Sequence, residues 1–381
     1  MKIVVAPDSF KGSMSASEIC SVVKKGIENV MPTAQVKEIP LADGGEGTMD
    51  NLVYSTNGTT RQVEVVGPIG KKITASYGIL GDQETVIIEM AQASGLPILR
   101  PAERDPLHAT TFGTGQLIKD ALDQGYRKFI IGLGGSATND AGAGMLRALG
   151  VTFYDKDHGP LPEGGGALND LAFFDDSKLD QRLKEATFVV ASDVTNKLCG
   201  PEGASAIFGP QKGATPEMVT ILDRGLNRFA EVVLQQKGMD MRDVVGGGAA
   251  GGLGSAIVTF LHAEVKSGIH VVMDTVNFEE EIRGADLIIT GEGRLDSQTL
   301  SGKVISGVCK VAKKYQVPVI ALCGSLELEA KRFEELGLQS AFSIVSGPCD
   351  LAEAMEKAPH LIIERVEAIM RVIRMYSYKD N

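Results

Sequence analysis

The sequence predicts an α/β fold with a mainly parallel sheet, distributed over two domains. Three observations predict it. The chain has 381 residues, which is long enough for two or three domains. Apolar, β-rich runs alternate with helical patterns over most of its length, as in βαβ units. Glycine is enriched, with 45 residues, and it is concentrated where apolar runs end, which is where loops of α/β proteins approach ligands.

The first βαβ unit is clear from residues 2–41. Residues 2–6 form a short apolar run that predicts a buried strand. Ser15 and Glu18 have the spacing of a capping box, and an apolar face at spacings of three and four continues until Pro32 ends the helix. Residues 35–41 predict the second strand. The loops after both strands should therefore lie at the same edge of the sheet.

The pattern changes between residues 61 and 89. Three segments there alternate apolar and polar residues between glycine-containing turns, which predicts an antiparallel meander. They are 62–67, 73–79 and 85–90. Further along, the predicted helices are 114–123, 140–149, 216–236, 252–261, 302–315 and 351–376, and the predicted strands are 128–132, 187–192, 286–290, 318–323 and 341–345.

The last β/α repeats resemble the first βαβ unit more than the meander. We therefore predict a discontinuous domain formed by residues 1–60 and 281–381. Residues 61–280 would form an inserted domain of mixed α/β structure.

Composition excludes several classes of protein. The formal net charge is −11, which argues against a nucleic-acid partner. No apolar run is long enough to span a bilayer, so we expect no membrane partner. The five cysteines are scattered without a C-x-x-C motif, as expected of reduced thiols in the cytoplasm. The five histidines show no spacing typical of a zinc site.

Six segments place a loop rich in Gly, Ser, Thr and Asp directly after an apolar strand. They are residues 6–13, 42–48, 132–142, 191–196, 246–254 and 290–297. Helix N-termini after such loops expose free N–H groups that bind anions, phosphate above all. One loop of this kind is weak evidence, but six together predict a phosphorylated ligand.

The loop at 132–142 follows a strand, and it begins with a G-x-G-x-x-A pattern. For a nicotinamide cofactor this pattern should come early in the chain, with an acidic residue about 20 positions further on at the end of the next strand. A tight packing turn without any ligand is another alternative. We favour a turn that binds phosphate, with Gly134, Gly135 and Ser136 as the contacting residues.

The segment 246–254 (GGGAAGGLG) contains the densest group of glycines. One explanation is a flexible hinge. The other is close approach of the backbone to a nucleotide or substrate, for which Gly247, Gly248, Gly251 and Gly252 are the candidates.

Cations and carboxylates in these loops are the candidates for chemistry. Lys11 is the first cation and Arg294 the second, although Lys11 would also suit a solvated surface. Asp193 ends a buried strand, where it could bind Mg²⁺, accept a hydroxyl proton, or only cap a helix. Further carboxylates that are candidates for the same roles are Asp43, Glu46, Asp140, Glu292 and Asp296. The phosphate-binding motif G-x-x-x-x-G-K-[ST] is not present around Gly302 and Lys303.

These motifs taken together resemble those of the bacterial glycerate kinases. The segments that carry the resemblance are APDSFKGS (6–13), LADGGEGT (41–48), GLGGSATNDAG (132–142), SDVTN (192–196), IFGPQKG (207–213), GGGAAGGLG (246–254) and ITGEGRLDSQTLSGK (289–303). The similarity runs in order from about residue 1 to about residue 370. The motifs look closest to the group of this family that forms 2-phosphoglycerate.

The resemblance implies a Rossmann-like discontinuous domain, a second α/β domain and an active site in the cleft between them. It implies transfer of the γ-phosphate of ATP to D-glycerate with Mg²⁺ as cofactor. Roles then follow from physical argument. Lys11 and the glycine amides would hold the ATP phosphates, and Asp193 would deprotonate the substrate hydroxyl. The predicted substrate-binding residues are Asp8, Ser9, Asp43 and Arg294, and the predicted metal ligands are Asp193 and Asp296.

Three alternatives stay open from the sequence. A glycerate 3-kinase would use the same parts with a different placement of the acceptor. A nicotinamide-dependent dehydrogenase could share the α/β build. A sugar-acid sensor without catalysis is the third, although no appendage that would bind DNA or a partner is visible.

Overall fold

The computed structural model describes residues 1–297, 299 and 304–377 of the chain. They form two compact units. Unit 1 comprises Met1–Asp43, Asp50–Thr56 and Ile269–Asn381, and unit 2 comprises Gly44–Met49 and Asn57–Gly268. Both units are α/β structures, as predicted.

Unit 1 is built on a five-stranded parallel sheet. Its strands are β1 (Lys2–Val5), β2 (Gln35–Glu38), β11 (Leu287–Leu295), β12 (Val319–Leu326) and β13 (Ser340–Ser343), numbered along the whole chain. Their spatial order is β13-β12-β11-β1-β2. The chain therefore leaves β1 toward one side of the sheet and later fills the other side outward from β11. The point where the order reverses lies between β1 and β11, and ligands of open α/β sheets bind at such a point.

Helices cover this sheet. They are α1 (Ala16–Val30), α2 (Thr48–Thr56), α9 (Gly268–Thr275), α10 (Phe278–Glu281), α11 (Val304–Lys314), α12 (Phe333–Leu336), α13 (Leu351–Glu356) and α14 (Ala358–Ser377). The first two residues of α2 and the first residue of α9 cluster with unit 2. The capping box predicted for α1 is confirmed, since Ser15 Oγ accepts the Glu18 N–H and the Glu18 carboxylate accepts the Ser15 N–H. A Cβ atom at Gly26 would lie 3.0 Å from Val366, so the glycine lets α1 and α14 pack closely.

Unit 2 contains a six-stranded mixed sheet. Its strands are β3 (Thr59–Val66), β4 (Lys72–Ile79), β5 (Thr85–Glu89), β6 (Lys128–Gly132), β9 (Thr187–Ala191) and β10 (Glu264–Lys266). The order is β10-β9-β6-β5-β4-β3. β3, β4 and β5 are antiparallel neighbours, as the predicted meander requires, whereas β5, β6, β9 and β10 run parallel. The carboxyl ends of these four strands therefore share one edge.

The helices of unit 2 are α3 (Ala91–Ser94), α4 (Phe112–Asp123), α5 (Ala143–Ala148), α6 (Ala204–Phe208), α7 (Pro216–Lys237) and α8 (Leu253–Leu261), and a small hairpin is formed by β7 (Thr152–Tyr154) and β8 (Phe173–Asp175). The core lies between these helices and the sheet, where Phe129 and Phe188 of β6 and β9 stack with ring centroids 4.7 Å apart. No helix among the described residues is both long and apolar enough to cross a bilayer.

Several predicted elements need correction. The segment 291–295, predicted as loop, continues β11, because Arg294 and Leu295 pair with Ser325 and Leu326 of an equally extended β12. The helix predicted at 140–149 begins only at Ala143, since Ala141 and Gly142 have positive φ angles of 52° and 73°. The helix predicted at 351–376 is interrupted at Lys357. Residues 302 and 303 of the helix predicted at 302–315 lie outside the described residues, and the described part is α11.

Candidate functional site

The carboxyl edge of the sheet in unit 1 gathers five of the predicted site residues. They line a pocket of about 630 Å³ and are Asp8, Ser9, Lys11, Asp43 and Arg294. The reason is topological, because they follow β1, follow β2 or lie near the end of β11, and these strands are parallel neighbours. The Asp8 N–H donates to the Gly291 carbonyl at 2.8 Å, which fixes the loop after β1 beside β11.

Asp8 is an acid of this pocket whose pKa is strongly raised. Its side chain is buried, and its Oδ1 accepts the Ser9 N–H at 2.7 Å. Burial, together with the negative charge of Asp43, raises the pKa of Asp8 to about 6. The Ser9 hydrogen bonds and the Lys11 charge oppose this rise. A carboxyl with a pKa near neutrality in a pocket is suited to binding or exchanging a proton with a substrate hydroxyl.

The two cations of the pocket differ in their surroundings. Lys11 is exposed and makes no ion pair with any residue that the structure describes. The guanidinium of Arg294 pairs with Asp296 at 3.2 Å and with Glu327 at 2.6 Å. Lys11 is therefore free to neutralise an incoming anion, whereas Arg294 would have to share its donors with two carboxylates.

Two further acids of β11 and its end lie close to this edge. Glu292 is buried, lines the pocket and accepts a hydrogen bond from Thr299 Oγ1. Asp296 is only half-buried, and its carboxylate pairs with Arg294. The pocket lining includes Glu292 but not Asp296, the predicted metal ligand.

The carboxyl edge of the sheet in unit 2 carries Asp193. This residue follows β9, and its side chain is exposed. Its Oδ1 accepts the Gly268 N–H at the start of α9, at 3.3 Å. Because Gly268 lies 75 residues away in the sequence, this hydrogen bond is not the local N-cap that the helix-capping alternative describes. It occupies part of the capacity of one carboxylate oxygen, so the side chain can still accept a proton or bind a cation.

The loop after β6 lies at the same edge as Asp193. Gly135 is exposed with a φ angle of 73°, and Gly134 is half-buried, whereas Ser136 is buried. A Cβ atom at Gly134 would lie 2.9 Å from the Cα atom of Gly45, so the glycine lets the loop at 44–47 approach. Within unit 2 the loops after β6 and β9 are brought together, as adjacent parallel strands demand.

The glycine-rich segment 246–254 is buried within unit 2. Cβ atoms at Gly247, Gly248 and Gly251 would each lie 2.2 Å from another atom of unit 2. The atoms are Ser255 Oγ, the Lys197 carbonyl oxygen and the Thr138 carbonyl oxygen, respectively. A Cβ atom at Gly252 would lie 2.9 Å from the Cα atom of Ala141. The close backbone approach that the sequence predicts is thus made to the protein itself, and a role in phosphate binding stays a prediction.

A buried lysine under this segment has no role in the sequence-based hypothesis. Lys212, from the IFGPQKG motif, is 1% exposed, and its Nζ donates to the Thr138 carbonyl at 2.7 Å. Burial lowers the pKa of Lys212 to about 7, although the negative charge of Asp140 opposes this. Burial also raises the pKa of Asp140, whose carboxylate accepts N–H groups of Thr111 and Gly144. The IFGPQKG motif marks Lys212 in the sequence, but the burial of this lysine depends on residues that are distant in the sequence.

Glu89 is a second residue that the sequence analysis missed. It ends β5 at the same edge as Gly132 of β6, is buried, and accepts the Met49 N–H at 2.8 Å. The rule that singled out Asp193, a carboxylate at the end of a buried strand, would also have found Glu89. Among the described residues no group of three or more His, Cys, Asp or Glu side chains is arranged to hold a metal ion.

Comparison with known proteins extends these observations over nearly the whole chain. The model of the glycerate kinase family matches residues 3–374. The chain is 47% identical to the glycerate kinase of Bacillus subtilis, with 98% of each chain covered, and 49% identical to the glycerate 2-kinase of Escherichia coli, with 94% of each covered.

A solved structure agrees with the sequence comparisons. The crystal structure of a candidate glycerate kinase 2 from Salmonella typhimurium LT2 superposes with a TM-score of 0.90, at 46% identity and with 99% of each chain covered. A match of this extent covers both units and all the motifs described above. The chain therefore belongs to the glycerate kinase family.

Proposed function

We propose that this chain is an ATP-dependent glycerate kinase. It transfers the γ-phosphoryl group of ATP to the 2-hydroxyl of D-glycerate and produces 2-phospho-D-glycerate and ADP. The observation that carries the proposal is the similarity over nearly the full length to proteins named glycerate kinase and glycerate 2-kinase. The same similarity favours this function over a dehydrogenase or a sensor without catalysis.

The pocket of unit 1 supports the proposal chemically. Lys11 offers an exposed ammonium group for a phosphate, and Asp8, Ser9 and Asp43 offer hydrogen-bond partners for the hydroxyls of glycerate. Arg294 would bind the glycerate carboxylate, with amides around Ser9 as the alternative donors. Positive charge is locally available here although the net charge of the chain is −11.

In unit 2, Asp193 would orient the acceptor hydroxyl and accept its proton as the bond to phosphorus forms. The exposure of this carboxylate leaves it accessible, and the hydrogen bond from Gly268 holds it in one orientation. Amides of Gly134, Gly135 and Ser136 would stabilise charge on the phosphoryl oxygens. The location of the active site in a cleft between the domains stays a prediction.

The donor set suits Mg²⁺ bound together with ATP. This ion usually keeps several waters and takes one or two protein carboxylates besides the substrate phosphates, so a cluster of three acids is not required. Asp193 and Asp296 are the proposed ligands, because carboxylate oxygens are among the protein ligands that Mg²⁺ takes. When bound, Mg²⁺ neutralises phosphate charge.

The test is an assay of the purified chain with ATP, Mg²⁺ and D-glycerate, in which ADP release is coupled to a spectroscopic readout. We expect ADP release that depends on D-glycerate and stops on chelation of Mg²⁺. Phosphorus and carbon NMR of the product would distinguish phosphorylation at the 2-position from the 3-position. No ADP release at millimolar glycerate would reject the proposal.

A further inference from the structure

The pocket of unit 1 is longer than an acceptor such as glycerate needs. Its lining comes from the carboxyl ends of all five strands, from Asp43 after β2 to Val345 after β13. Four strand spacings amount to roughly 20 Å. A three-carbon acid cannot contact both ends of such a pocket, so the pocket has room for a second and larger ligand.

The two ends of the pocket differ in chemistry. Polar and charged side chains lie at the β2, β1 and β11 ends, among them Asp8, Lys11 and Arg294. The lining contributed by the segment after β13 and by α13 is mainly apolar, and includes Val345, Leu351 and Met355.

The apolar side chains include an unusually exposed leucine. Leu351 is 75% exposed at the start of α13, although it lines the pocket. A large apolar side chain left in water beside a cavity is stabilised when a flat apolar ligand covers it. The helix that carries it is fixed to the loop after β1 by a hydrogen bond from Ser13 Oγ to the Met355 carbonyl at 3.0 Å. The apolar lining from α13 is therefore held in a defined position relative to the loop after β1, which carries Lys11.

We propose, on the basis of the function proposed above, that this pocket is the nucleotide site. The adenine base packs against Leu351 and Met355, and the polyphosphate extends along the sheet edge to Lys11. The nucleotide thereby lies across the point between β1 and β11 where the strand order reverses, which is the expected ligand position in an open parallel sheet. The acceptor then belongs at the opposite end, near Asp8 and Asp43. Unit 1 accordingly determines the affinity for ATP.

Calorimetric titration of the full chain with adenosine and with ADP in the presence of Mg²⁺ tests this assignment. Leu351→Asp should weaken both ligands about tenfold, because it removes apolar contact with the base. Lys11→Met should weaken ADP about tenfold and leave adenosine unchanged, because only ADP carries phosphate. Val372→Asp is the matched control, an exposed apolar residue of α14 outside the pocket, and should change neither.

Alkylation gives an independent readout. Cys349 is exposed and lines the pocket, whereas Cys20, Cys309 and Cys323 are buried. ADP should slow the labelling of Cys349 by N-ethylmaleimide, measured by peptide mass spectrometry, and D-glycerate alone should not. Protection by D-glycerate but not by ADP would overturn the assignment.

The outcomes separate this inference from the proposed function. If the chain phosphorylates glycerate but Leu351→Asp and Lys11→Met leave ADP binding unchanged, the pocket is not the nucleotide site. If the variants weaken ADP as expected but D-glycerate releases no ADP, the nucleotide site stands and the proposed acceptor is wrong. Failure of the wild-type chain to bind either adenosine or ADP would overturn the inference.

Discussion

Replacing Lys212 by methionine should stabilise unit 2, although the lysine lies in its interior. Burial lowers the pKa of Lys212 from its ordinary value of 10.5 to about 7. The unfolded chain therefore binds more protons than the folded chain between about pH 7 and 10.5, so the free energy of unfolding rises with pH in that window. At pH 7 the buried ammonium lowers the free energy of unfolding by about 4 kcal/mol.

Methionine has a similar length and carries no charge, so Lys212→Met removes that cost. It also leaves the Thr138 carbonyl without its partner, which costs about 1–3 kcal/mol. The net expectation is a variant that is about 2 kcal/mol more stable at pH 7. In addition, the wild type should gain about 1 kcal/mol per pH unit between pH 7 and about pH 10, and the variant should lack this dependence.

Urea unfolding followed by circular dichroism at pH 6.5, 8 and 9 measures both quantities. Lys156→Met, an exposed lysine of the same unit, is the control and should change the stability by less than about 0.5 kcal/mol. A variant that is less stable than wild type with the same pH dependence would refute the reasoning. It would mean that Asp140 keeps Lys212 charged as a buried ion pair, whose disruption is destabilising.

Three other predictions concern the site. If Asp8 must be ionised, kcat/KM should decrease as the pH falls below about 6. Asp43→Asn removes a neighbouring negative charge, so it should move this decrease to lower pH. A decrease that does not move would belong to another group. Asp193→Ala should lower kcat about 100-fold or more while the chain stays folded, and a loss under about tenfold would remove Asp193 from the chemistry. Gly251 and Gly47 both have a positive φ angle, but only at Gly251 would a Cβ atom clash with neighbouring atoms. Gly251→Ala should therefore lower the free energy of unfolding by more than about 3 kcal/mol, and Gly47→Ala by only about 1 kcal/mol. Equal losses of stability in thermal unfolding would contradict this expectation.

Local signals predicted most of the regular structure. The strand at 128–132 agrees with β6 residue for residue, and the capping box of α1 forms as its spacing requires. Periodicity and capping depend on residues close in sequence, so they can be recognised without the fold. The far end of β11 could not be predicted in this way. Residues Gly291 to Leu295 have the composition of a loop, and they form a strand only because they pair with β12.

The site divides in the same way. The parallel strands β1, β2 and β11 bring Asp8, Asp43 and Arg294 to one edge of the sheet. For Asp8 and Asp43 this placement follows from the βαβ pattern of the sequence. The pairing of Arg294 with Glu327 could not be foreseen, because it depends on the register between β11 and β12. The burial of Lys212 likewise depends on the distant loop that contains Thr138.

Glycines show most sharply what a sequence can and cannot specify about a binding site. A glycine-rich loop states that a side chain would not fit, but it does not state what occupies the space. For Gly248 and Gly251 the neighbour is the protein's own backbone, at 2.2 Å from a hypothetical Cβ atom. Gly135, in contrast, is exposed, and the nearest atom to a hypothetical Cβ atom there is the Cβ atom of Ala91 at 3.2 Å. An anion that binds to backbone amides of unit 2 should therefore contact the loop after β6 before the glycine-rich segment, and the segment should act mainly by holding Thr138 and the loop in place.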